Sequence, residues 1–178
     1  MSTAFVGGDA MSKYLADLSS KMKGQVDIGF MSDATYGGSE NNLPVAQVAF
    51  WNEFGTASAP PRPFFRSMIA KDSPKWGGMI ARGIKADLSG RELLENMGEE
   101  VAGALQQSIR DTNAPALSPV TLMLRKMKKG DRFQKINGAM VGEAAARVKA
   151  GESYDGVSTK PLIDTSQMLD AVTYKVRE

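Results

Sequence analysis

Leu93, Met97, Val101, Leu105 and Ile109 fall on every fourth residue, the most regular apolar stripe in the chain. Ser89 and Glu92 stand just before it, three residues apart. That spacing predicts a capping box, in which the hydroxyl accepts one orphan N–H and the carboxylate accepts another. The stripe therefore reads as one long helix over 89–110. Met11, Leu15, Leu18 and Met22 predict a second helix closed by Gly24, preceded by a mobile N-terminal segment over 1–10. Val26, Ile28 and Phe30 alternate, which predicts a strand over 25–30. The polar, Gly-containing run 32–43 predicts an exposed loop.

Pro44 suits a first helical position and Gly55 suits a stop, so 44–54 predicts a short helix. A strand is the rival reading there, because the apolar spacing fits both. Pro63 opens another helix that turns Phe64, Met68 and Ile69 inward and continues through Trp76, Met79, Ile80 and Ile84. Pro74 lacks a donor N–H and is expected to kink or restart it. Ser118-Pro119 predicts a helix with Val120, Met123, Leu124 and Met127 inward and Gly130 as the stop. Met140, Val141, Ala144, Ala145 and Val148 predict one more after Asn137, ended by Gly151 and a loop over 151–160. Asp164 is expected to cap a last short helix through Leu169. Val172, Tyr174 and Val176 then alternate as a terminal strand.

Five to seven helices and two to four strands in no regular βαβ order give an α+β class. The first and last strands are expected in one small antiparallel sheet, packed by the long central helix, with additional helices and projecting loops or arms. At 178 residues the chain reads as a single domain over 1–178, with an inserted helical arm at 130–158.

Composition narrows the chemistry. The chain has no cysteine and no histidine, which removes thiolate nucleophiles, Cys-based zinc sites and the usual proton shuttle. No phosphate-loop string and no calcium-loop spacing occurs, so no cofactor, metal or catalytic residue is expected. Net charge is +2, from 22 basic and 20 acidic residues, which does not mark a dedicated nucleic-acid binder. No secretory signal is read in the first residues, and no apolar run approaches the roughly 20 residues that span a bilayer.

Three local features carry alternatives. Glu53 sits within an apolar run: a desolvated carboxylate could serve as acid or base, or it lies on the exposed side of a short helix or pairs with a cation such as Arg62. Arg62 and Arg66 flank Pro63-Phe64-Phe65. They could grip phosphates, or the phenylalanines anchor in the core while the arginines cover an edge or meet carboxylates across a subunit contact. Arg125, Lys126, Lys128, Lys129, Arg132 and Lys135 give six basic residues against one acidic in eleven. They could face DNA, a solvated surface or an acidic partner.

Three stretches then stand out together. The first is Asn52-Glu53-Phe54-Gly55-Thr56 with Pro60-Pro61-Arg62-Pro63-Phe64-Phe65-Arg66. The second is Leu117-Ser118-Pro119-Val120-Thr121 with Arg125-Lys126. The third is Lys160-Pro161-Leu162-Ile163-Asp164-Thr165-Ser166-Gln167-Met168-Leu169, running into Ala171-Val172-Thr173-Tyr174-Lys175-Val176. In order and spacing they resemble the neck and tail-completion proteins of tailed bacteriophages, also described as head–tail joining or virion-morphogenesis proteins. Ser166 stands where that family more often has glycine.

The resemblance implies a non-enzymatic virion protein in the neck or proximal tail, assembled in the host cytoplasm. It implies a ring of copies, commonly six, between the capsid connector or head-completion protein and the tail tube or tail terminator. Genome DNA would pass through the channel without sequence-specific binding. It implies that Glu53, Phe54, Gly55, Pro61, Arg62, Pro63, Phe64, Phe65, Arg66, Asp164 and Thr165 serve folding and intersubunit geometry. A tail-terminator or other connector-layer subunit is the near alternative, and a DNA-binding protein using 125–135 the distant one. Segments 31–43, 55–63 and 130–158 are expected to order on assembly.

Overall fold

The structure is a computed structural model that describes residues 8–21, 23–36, 43–128, 136–164 and 166–177. Its elements follow in chain order: α1 (Gly8–Lys21), β1 (Gln25–Phe30), β2 (Thr35–Tyr36), β3 (Leu43–Pro44), α2 (Val45–Phe54), α3 (Phe64–Lys85), α4 (Gly90–Asp111), α5 (Pro119–Met127), α6 (Gly138–Lys149), α7 (Gln167–Asp170) and β4 (Val172–Arg177). The class is α+β with a small sheet, as the pattern predicts.

The first and last long strands pair antiparallel, with Val26 opposite Val176, Ile28 opposite Tyr174 and Phe30 opposite Val172. The alternation of both strands places these apolar residues on one face, and α4 packs against it. Gly98 makes that approach possible, because a Cβ there would collide with the Tyr174 ring. The predicted capping box opens α4: Glu92 N–H donates to Ser89 Oγ at 3.3 Å and Ser89 N–H to Glu92 Oε2 at 2.9 Å.

The main core joins Val45 and Ala49 of α2, Phe64 and Met68 of α3, Val101, Leu105 and Ile109 of α4, and Leu162, Met168 and Val172 near the end of the chain. Leu122 and Met123 of α5 and Ala144 of α6 are buried outside that cluster. Helices α5 and α6 pack on each other, with these three residues between or beside them.

Several expectations are corrected. The run 32–43 contains β2 and the start of β3, which pair antiparallel, so it is not only loop; residues 37–42 lie outside the described residues. Pro74 does not interrupt α3, which runs through it as one helix of 22 residues. Ala70 and Pro74 are both exposed, so the carbonyl left without a donor can be hydrated. Ile69 and Ile80 are exposed rather than inward. Asp164 does not cap α7. The cap is Ser166, in the left-handed region at φ +62° and with no side-chain hydrogen bond.

Helix α1 begins at Gly8, inside the segment read as mobile; residues 1–7 lie outside the described residues. Its stripe is only half covered. Leu18 is half-buried, while Met11, Tyr14 and Leu15 are exposed. Leu15 and Leu18 border an open groove of about 540 Å³ completed by Ile80, Ile84, Leu94 and Met97. No helix among the described residues is long and apolar enough to cross a membrane.

Candidate interface site

Helix α2 turns the usual arrangement around. Val45, Ala49 and Glu53, spaced by four, form its buried stripe, so the one carboxylate points inward. Phe50, Trp51 and Phe54 are exposed at 55%, 41% and 53%. Phe50 and Phe54 lie against each other with ring centroids 4.7 Å apart, and the Arg66 guanidinium stands 4.9 Å from the Phe54 centroid. Among the described residues these three aromatics stay exposed, which leaves an uncovered apolar face on α2.

Glu53 is neither exposed nor paired with Arg62. Its Oε2 accepts the Phe65 N–H at 2.8 Å, and Oε1 accepts the Arg66 N–H at 3.1 Å and Arg66 Nε at 2.8 Å. Phe65 and Arg66 are in the first turn of α3, and Pro63 has no side-chain acceptor with which to cap it. Glu53 therefore caps α3 from the neighbouring helix and meets the positive end of its dipole. Arg66 closes the latch by donating Nη2 to the Glu53 carbonyl at 3.0 Å.

The turn between these helices is locally built. Gly55 has φ +80°, and a Cβ there would lie 2.9 Å from Ala59 O and from Pro61 N. Thr56 N–H donates to Ala59 O, and Thr56 Oγ1 accepts the Ala59 N–H. Arg62 N–H returns to Asn52 O at 2.6 Å. Three hydrogen bonds within the chain thus hold the turn between Gly55 and Arg62.

Arg62 is only 7% exposed. Its Nε donates to Pro115 O at 3.0 Å, which ties the first stretch to the segment before α5. Burial pushes its guanidinium below the usual arginine range.

Arg125 ties the second stretch to the third. Nη1 donates to the carbonyls of Ser158, Lys160 and Ile163, and Nη2 to that of Pro161, over 2.7–3.3 Å. Its Nε lies 3.4 Å from Asp164 Oδ1. Burial lowers the Arg125 guanidinium most, Asp164 raises it, and the nearby charge of Arg62 lowers it further. Tyr36 beside Asp164 is pushed up to about 12, by burial first and then by that carboxylate.

The structure thus brings Glu53, Arg62, Phe64, Phe65 and Arg66 to one corner. Arg62 and Arg125 join this corner to the segment ending at Asp164. Phe64 is buried at the centre, Phe65 half-buried, and Pro61 and Pro63 form the exposed rim. Lys126 is engaged within the arm, with Nζ 3.0 Å from Glu152 Oε1. Lys128 is half-buried at the end of α5. Lys129, Arg132, Lys135 and Thr165 lie outside the described residues. Sequence reasoning missed Phe50 and Trp51; their exposure was legible only once Val45, Ala49 and Glu53 were known to take the inner face.

No protein-family model, no curated protein and no solved structure matches this chain.

Proposed function

We propose that this chain is a structural subunit of a tailed-phage neck, forming a ring that joins the capsid connector to the tail tube. The observation that carries the reading is α2: a carboxylate turned inward to lock α3, with three aromatics turned outward and uncovered. The latch holds those aromatics on a rigid support, so little conformational entropy is lost when they dock. Aromatic anchors of this kind are enriched in the central part of protein interfaces. The resemblance of the three stretches to neck and tail-completion proteins gives the partner class, and their meeting at one corner gives the resemblance a physical basis.

Ring formation needs one patch to meet a different patch on the next copy. Imaging the purified full chain tests this: closed rings with an axial channel agree with the proposal. A chain that stays monomeric, and adds to neither isolated connectors nor isolated tails, contradicts it.

A further inference from the structure

The corner holds three arginines and two carboxylates. Glu53 is taken by Arg66, and Asp164 by Arg125. Arg62, the most buried of the three, has no acid. Of its five N–H donors only the one on Nε has a partner, Pro115 O. Nη1 and Nη2 have no partner among the described residues, yet neither is sealed from solvent. The forked edge of the guanidinium thus keeps some contact with solvent, on a stem that is otherwise buried and held at Nε.

A buried cation without a counter-ion is costly, and the Arg125 guanidinium nearby adds like-charge repulsion. The fork matches the two oxygens of a carboxylate. The chain itself carries exposed acids with no partner among the described residues, such as Glu99 and Glu100 on α4.

We propose that Arg62 is an intersubunit oxyanion site, filled on assembly by a carboxylate from a second copy of this chain. The inference rests on the ring reading and adds the contact that completes its charge balance. It separates Arg62 from Arg66 and Arg125, whose acids lie within the chain.

The test compares wild type, Arg62→Met and Arg62→Lys as full chains. Sedimentation velocity reads self-association, and urea unfolding reads the monomer. Removing a partner of a buried charge pair at an interface weakens association by about a hundredfold. Arg62→Met should show that loss, with Arg62→Lys intermediate. The Arg62→Met monomer should unfold at an equal or higher urea concentration, because an uncompensated charge has been removed. Sodium phosphate, matched to chloride in ionic strength, should weaken wild-type association by competing for the fork.

If wild type associates and Arg62→Met associates equally well, the site is refuted while the ring reading stands. If wild type never self-associates, both are refuted. If phosphate stabilises the wild-type monomer saturably but leaves wild-type association unchanged, the fork takes a free oxyanion and the second copy is refuted as its source.

Discussion

The Glu53 carboxylate caps the helix that begins eleven residues later, accepting the Phe65 N–H at 2.8 Å while holding Arg66 Nε at the same distance. Pro63 fixes the chain's entry to α3 but offers no side-chain oxygen, so the cap comes from α2 instead. Replacing Glu53 by Ala leaves two buried N–H groups and a guanidinium without their acceptor. The expected loss is about 3 kcal/mol, and Glu53→Gln, which keeps one oxygen, should lose less. Urea unfolding of the two variants measures both.

Two glycines of α4 should respond with opposite signs. Gly98→Ala drives a methyl into Tyr174 and is expected to cost about 1–3 kcal/mol. Gly103 has open space around its Cα, so Gly103→Ala should gain up to about 1 kcal/mol from helix propensity. Thermal melts of the pair separate packing from propensity in one helix.

Ser166 holds a left-handed conformation at φ +62°, which glycine adopts without a Cβ clash. Ser166→Gly should therefore stabilise by about 0.5 kcal/mol, despite the greater freedom of glycine in the unfolded chain. Ser166→Ala should give no such gain.

Arg125 ties α5 to the segment 158–163 through four carbonyls. Arg125→Lys keeps the charge but not the fork, so it should fail to restore what Arg125→Met loses. Limited proteolysis should cut both variants within 151–163 faster than wild type. Equal cutting rates would place the strain of the arm elsewhere.

Tyr36 gives a pH signature. Its phenol is pushed from the usual 10 up to about 12 in the folded chain, so the folded state favours the neutral ring. That contribution is fully present below pH 10 and is lost as pH rises towards 12. Wild type should lose more stability than Tyr36→Phe between pH 10 and 12, and the two should run parallel below pH 9.

Much of the fold was legible in the chain. The four-residue stripe of α4, its capping box and the alternation of β1 and β4 are local signals, and each element formed where they placed it. The site was less legible. Glu53 in an apolar run reads as exposed or odd until its two N–H partners, twelve and thirteen residues away, are brought to it by the Gly55–Pro63 turn. Arg125 reads as part of a basic surface because its acceptors are backbone carbonyls, which leave no trace in residue type. Pro74 was expected to kink or restart α3; the helix does not restart there, and the exposure of Ala70 and Pro74 allows it to continue.

A three-dimensional image of the intact particle, with this chain located in it, tests the central claim most directly. The account predicts copies in a ring between capsid connector and tail tube, with Phe50, Trp51 and Phe54 covered by a neighbour. Absence of the chain from the particle, or a ring in which those three side chains still face solvent in every copy, would contradict it.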